Sequence, residues 1–161
     1  MPTHQLSRSA FDRLSAELKD LTTRGRIEVA GKIERARELG DLKENGDYHA
    51  AKDEQGHMEG RIRQLESILE NAEIIEPVAD GRVGVGVVVT ILYDGDPESM
   101  AEKYVIGHVE EKPSDPKVSV MSPTSPVGSA LLGASANDTV SFVAPNGKTL
   151  SVRVLSVDVP S

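Results

Sequence analysis

Between Tyr48 and Leu69 the residues Tyr48, Ala51, Gln55, Met58, Ile62, Leu65 and Leu69 alternate steps of three and four. That is a heptad seam, and a stripe this narrow is stable only against a second helix. Gln55 breaks its apolarity once, and the small Ala51 permits close approach. The same chain supplies a partner. Phe11, Leu14, Leu18 and Leu21 recur at the same steps upstream; Thr22-Thr23-Arg24-Gly25 interrupts them, and Ile27, Ala30, Ile33 and Ala36 resume. A glycine inside a helix costs ~1 kcal/mol, so a kink or a shift of register is expected at Gly25. Between the two stretches lies Gly40-Asp41-Leu42-Lys43-Glu44-Asn45-Gly46-Asp47-Tyr48. If the arms fold back there, residues 40–48 become the far tip of an antiparallel helical hairpin. At ~1.5 Å of rise per residue each arm spans roughly 40 Å.

Beyond residue 70 the pattern changes. Glu76-Pro77 ends the helix and Asp80-Gly81 makes a turn, which predicts a boundary between a hairpin over 1–77 and a second domain over 78–161. Strands are predicted at Val83–Leu92, Lys103–Val109, Lys117–Met121, Thr139–Ala144 and Thr149–Val157. The last two flank Pro145-Asn146-Gly147-Lys148, where Asn-Gly is a strong hairpin signal. A short helix is predicted over 125–133, with Pro126 near its start and Gly133 as its stop. The fold class is therefore α+β: an N-terminal antiparallel two-helix coiled coil, then a small antiparallel β domain with a short helix. With two Phe, three Tyr and no Trp in 161 residues, one large aromatic core is not expected, whereas a hairpin plus a small sheet needs less. Ser7 or Ser9 is placed to cap the first helix.

A net charge of −8 argues against a protein that coats nucleic acid by charge alone. The absence of Cys excludes disulfides, thiolate metal sites and Cys catalysis. With no secretory pattern at the N-terminus and no apolar run near ~20 residues, a soluble cytoplasmic protein is expected. His4, His49, His57 and His108 show no zinc spacing.

The tip carries Asp41, Glu44 and Asp47. On a helical turn, residues three apart share a face, so Asp41 and Glu44 would converge. Such a pair can hold a hard cation, work as an acid/base pair, or remain solvated. Mg²⁺ is commonly held by one or two carboxylates plus water and another molecule's oxygens, so two exposed acids are too few to keep it alone but could complete a shared site. Acid/base work would need a cleft to shift a pKa. Arg35, Arg37, Lys43 and Lys52 stand nearby; they could orient a phosphate chain passing the stalk or pair with neighbouring acids such as Glu34 and Glu38.

The run Gly40-Asp41-Leu42-Lys43-Glu44-Asn45, followed by Tyr48-His49-Ala50-Ala51-Lys52, Glu54-Gln55-Gly56 and Glu59-Gly60-Arg61-Ile62, resembles the signature of the GreA/GreB transcript cleavage factors. Ser122-Pro123, the run Ser125-Pro126-Val127-Gly128-Ser129-Ala130-Leu131-Leu132-Gly133 and the Pro145-Asn146-Gly147 hairpin are similar to that family's C-terminal domain. The resemblance covers nearly the whole chain. It implies an FKBP-like second domain and an accessory factor, not itself an enzyme, that stimulates hydrolysis in the active site of bacterial RNA polymerase. The globular domain would dock at the rim of the polymerase's secondary channel and the stalk would enter it. By the same resemblance Asp41 and Glu44 are the acids that help place a second Mg²⁺ and the attacking water for cleavage of a backtracked RNA 3′ end. Asn45 and Tyr48 would shape the tip, Arg37 and Lys52 would form a basic patch touching the RNA, and Ser125, Pro126, Gly128 and Leu131 would belong to the docking surface.

Two departures are visible. Gly46-Asp47 replaces a common Ala-Glu, and Asn137-Asp138 stands where Gly-Asp is common; Asn tolerates positive φ, so that turn should survive. The alternative activity is a channel-binding inhibitor without cleavage stimulation. Prolyl isomerase activity is disfavoured, because Tyr93, Tyr104 and Phe142 are the only aromatics after residue 82. No membrane partner is implied, and because the hairpin satisfies its own seam a monomer is expected.

Overall fold

The structure is a computed structural model that describes residues 3–41 and 44–160. They form two compact units: residues 3–4 with 11–72, and residues 5–10 with 73–160.

In the first unit, helices α1 (Arg8–Asp20) and α2 (Arg26–Arg37) are joined by a π-helical turn (Leu21–Gly25), and α3 (Gly46–Glu70) returns alongside them. The return arm packs as its seam predicts, with Ala51, Ile62 and Leu65 buried and Ile68 added at the base. The outgoing arm differs. Leu14, Val29, Ile33 and Ala36 are buried, whereas Ile27 is 73% exposed and Ala30 is exposed.

The cause is the π turn, which winds more residues per turn than an α-helix. It accommodates one residue more than a strict heptad allows and turns Val29, not Ile27 or Ala30, onto α3. Gly25 brings this turn against Met58. The Thr22 and Thr23 hydroxyls donate to the carbonyls of Leu18 and Lys19 at 2.8 and 2.7 Å, supplying donors where the winding changes. The predicted register shift at Gly25 is thus a local under-winding. Deleting Thr23 should leave a continuous α-helix with Leu14 and Val29 still on the seam, and thermal unfolding should shift by only a few degrees. Inserting one Ala there should rotate the distal stripe by ~100° and melt the hairpin at far lower temperature.

Ion pairs cross the arms outside the seam. Arg26 grips Glu59 at 2.9 and 3.0 Å, Lys32 meets Glu54 at 3.0 Å, and Arg61 grips Glu17 at 2.7 and 2.9 Å. Hydrogen bonding from Arg26 holds the Glu59 carboxyl below the usual carboxylate range. Lys32–Glu54 is exposed and fixes register more than stability, whereas Arg61–Glu17 is half-buried.

The second unit contains a five-stranded sheet in the order β5-β4-β3-β7-β6. Its strands are β3 (Val88–Tyr93), β4 (Glu102–Ile106), β5 (Val118–Met121), β6 (Thr139–Val143) and β7 (Thr149–Asp158). The sheet is mixed, not wholly antiparallel: β4 and β5 run parallel, pairing Lys103 with Val118 and Ile106 with Met121. The connection of residues 107–117 carries the chain back across the sheet before β5 starts, so β5 enters in the direction of β4. β3 starts later than predicted. Val83 leaves the sheet to exchange backbone hydrogen bonds with Ala134 and Gly133, and the chain turns through Gly84–Gly86 before Val88.

Short strands β1 (His4–Leu6) and β2 (Ala72–Ile74) form a separate ribbon. Leu6 accepts from Ile75 N–H at 2.8 Å, so residues near both ends of the hairpin sequence belong to this unit. Ser7, one of the two predicted caps, accepts from Ala10 N–H at the start of α1 and is held by the Glu111 carboxylate through its amide and hydroxyl at 2.9 and 2.6 Å.

Helix α4 (Pro126–Leu131) lies against a core of Val83, Val87, Val89, Ile91, Ile106, Leu131, Val152 and Val154. The Asn-Gly hairpin joins β6 to β7 with Gly147 at φ +84°. Asn137 takes φ +75° as its turn demands, and Asp138 accepts from Ser135 N–H at 2.9 Å.

Candidate functional site

Helix α2 ends at Arg37 and α3 begins at Gly46, so the chain reverses over residues 38–45. Leu42 and Lys43 of the predicted tip lie outside the described residues. Gly40 adopts φ +133°, a backbone state that side chains disfavour, where the chain leaves α2.

Asn45 closes the turn. Its Oδ1 accepts from Tyr48 N–H at 3.0 Å, which caps the first turn of α3, while its Nδ2 donates to the Ala36 carbonyl near the end of α2. One amide thus satisfies an orphan donor of one helix and a terminal carbonyl of the other. An aspartate could cap but not donate; a serine could not span both. Asp47, in the first turn of α3, adds negative charge where the helix dipole favours it. Asn45→Ala should therefore cost about 1–2 kcal/mol locally and speed amide exchange through residues 44–50, while exchange at Ile62 and Leu65 stays unchanged.

Asp41 and Glu44 sit on the segment this clamp holds. Both are exposed, Asp41 outside regular structure and Glu44 in a turn. Neither is on a helix, so helical spacing does not set their relation, contrary to the sequence expectation. Among the described residues no group of three or more His, Asp or Glu could hold a metal. The donor set is two hard, solvent-facing carboxylates, which suits a divalent cation whose other ligands come from elsewhere.

The basic residues are less alike than the sequence implies. Arg37 lies over the Tyr48 ring, 5.8 Å from its centroid. Lys52 is exposed on α3 and donates to Gln55 Oε1 at 3.0 Å. Arg35, Lys32, Glu38 and Asp47 border a groove of about 620 Å³ between the arms, floored by Ala36 and Ala51.

The four residues assigned to docking also divide. Leu131 is completely buried in the sheet's core and Gly128 is buried, so neither can touch a partner. Ser125 caps α4, its Oγ accepting from Gly128 N–H at 3.0 Å and donating to the Ser122 carbonyl at 2.8 Å. Pro126 is exposed, and so is Leu132 beyond the helix end. Leu131 is the last residue of α4 and Leu132 its non-helical C-cap, so the two adjacent side chains point apart, Leu131 in and Leu132 out. Among the described residues no helix is long and apolar enough to cross a membrane.

Asn45's second bond, the Arg37–Tyr48 contact and the cross-arm ion pairs are absent from the sequence reading. A signal existed for the last: in an antiparallel hairpin, opposite charges placed about equally far from the turn, such as Lys32 and Glu54, come to face each other.

Residues 4–74 match the family described as "Transcription elongation factor, N-terminal", and residues 78–159 match "Transcription elongation factor, GreA/GreB, C-term". The chain is 46% identical over 154 residues to "Transcription elongation factor GreA" of Streptomyces coelicolor, covering 95% of this chain and 92% of that protein. It is 45% identical over 154 residues to the protein of that name from Mycobacterium tuberculosis, covering 95% and 93%. The crystal structure of GreA factor homolog 1 of Thermus thermophilus aligns at 27% identity and a TM-score of 0.44, covering 97% of this chain and 99% of that one.

Proposed function

The chain belongs to the GreA/GreB family of transcription elongation factors, and from that premise we propose that it enters the secondary channel of RNA polymerase and stimulates cleavage of backtracked RNA. The observation that carries this reading is the pair of exposed acids, Asp41 and Glu44, on a segment clamped by Asn45 at the end of a stalk. The stalk delivers the acids and the polymerase supplies the pocket. Mg²⁺ held jointly by Asp41, Glu44 and polymerase ligands would activate a water and stabilise the leaving oxygen, as two-metal sites do. The factor's own contribution is to add negative charge in a fixed position and to orient water by accepting its hydrogen bonds at the carboxylates. Lys52 presents its charge on the exposed face of α3, where the phosphates of an extruded RNA 3′ segment could meet it. In the second unit, Pro126 and Leu132 offer an accessible surface for contact with the polymerase, and the buried Gly128 and Leu131 hold that surface in shape. The factor works as a monomer in the cytoplasm and forms no active site alone.

A stalled, backtracked elongation complex with RNA labelled near its 3′ end tests the reading. Addition of the protein with Mg²⁺ should release short 3′ fragments far faster than the polymerase alone. Binding without accelerated release would establish an inhibitor of the channel instead, and no binding would overturn both.

A further inference from the structure

Arg37 is the last residue of α2 and Tyr48 lies in the first turn of α3, so their contact joins the two arms at the base of the tip. The Arg37 guanidinium stands 5.8 Å from the ring centroid, within the ~6 Å over which an aromatic face attracts a cation. His49 meets the same ring edge-on, with centroids 5.7 Å apart and planes at 66°. Among the described residues no carboxylate is within ion-pair reach of Arg37. Tyr48 is half-buried, and its backbone N–H is already committed to Asn45.

We propose that Arg37 is a positioning residue of the tip, acting through the Tyr48 ring. Asn45 ties the two helix ends together by bonds from its side chain to backbone groups; Arg37 on Tyr48 ties the same ends side chain to side chain. The segment bearing Asp41 leaves the helix at the residue after Arg37, so the orientation of the last turn of α2 sets where the acids emerge. A guanidinium suits this place twice over. Its flat cation covers an aromatic face, and its charge favours the C-terminal end of a helix. The effect of Arg37 on cleavage rests on the function proposed above; its contact with Tyr48 does not.

Two measurements separate these. In the free protein, NMR should find the Arg37 side-chain protons shifted upfield by the Tyr48 ring current, and Tyr48→Leu should return them to random-coil positions. In backtracked complexes at saturating factor, Arg37→Gln and Tyr48→Leu should each slow cleavage by about two- to fivefold, and the double variant should be no slower than the worse single one. Random-coil shifts in the parent overturn the proposal. So do losses that multiply in the double variant, or an Arg37→Gln effect that fades as salt rises, since a direct phosphate contact behaves that way. If the parent fails to stimulate cleavage, the functional reading falls, while the ring-current shift still decides the contact.

Discussion

Asp41→Asn and Glu44→Gln should each lower factor-stimulated cleavage of backtracked RNA by roughly 10²-fold, the loss typical when one preorganised electrostatic group is removed from a transition state. Each substitution keeps the shape of the side chain and removes only the charge. Both residues are exposed, so folding stability should change by less than ~1 kcal/mol. Affinity for the polymerase should stay within about twofold if, as proposed, the stalk and the second unit both take part in docking. The double variant should be little worse than either single one, since the acids serve one site and their effects do not add. Quantitative cleavage kinetics at several Mg²⁺ concentrations check all of this. A loss that high Mg²⁺ partly restores supports joint placement of the ion; equal loss of binding and cleavage would assign the acids to docking instead.

The second large effect should appear in the second unit. A Cβ placed on Gly128 would run into the Ser122 carbonyl and stand 2.9 Å from Ser125 Oγ. Neither atom can give way cheaply. The Ser122 carbonyl is backbone and already accepts from the Ser125 hydroxyl, and the same hydroxyl caps α4 at the Gly128 amide. Gly128→Ala should therefore cost about 1–3 kcal/mol for overpacking and another ~1 kcal/mol where the cap is displaced. Pushing α4 off the sheet also disturbs Leu131, which fills the core beside Val89 and Ile106. Thermal unfolding followed by circular dichroism should shift down by roughly 5–15 °C, at ~2–4 °C per kcal/mol for a chain of this size. Hydrogen exchange should localise the loss to the second unit and leave Ile62 and Leu65 of the hairpin protected. Ser125→Ala, which removes the cap without the clash, should cost only ~1 kcal/mol. An unchanged melting temperature for Gly128→Ala would show that the 122–128 turn yields.

The exposed turn bearing Asp41 and Glu44 was legible because it interrupts two regular helical patterns; the role proposed for the two acids came from the family resemblance and not from their spacing. The seam from Ala51 to Leu65 was legible for the complementary reason: steps of three and four admit one buried face of a helix and no other. Pro126 and the Asn-Gly hairpin could be read because each fixes backbone torsions locally, whatever surrounds it. Arg37 was harder. A cation between other charged residues reads as solvated or as a nucleic-acid contact, and only the return of Tyr48 from the second arm reveals what its guanidinium covers.

The sequence by itself determined the two-arm hairpin, the place of its reversal, the approximate positions of the five strands of the main sheet and the residues available for chemistry. These follow from periodicity and from residues whose torsions are restricted, both of which act within a few positions along the chain. The tertiary structure decided that Val29 and not Ile27 faces α3, that β5 joins β4 in parallel, that Leu131 is core while Leu132 is surface, and that one asparagine holds both helix ends. Each of these depends on contacts between residues far apart in the chain or on a single under-wound turn. The burial and hydrogen bonding that choose among such alternatives exist only once the segments meet.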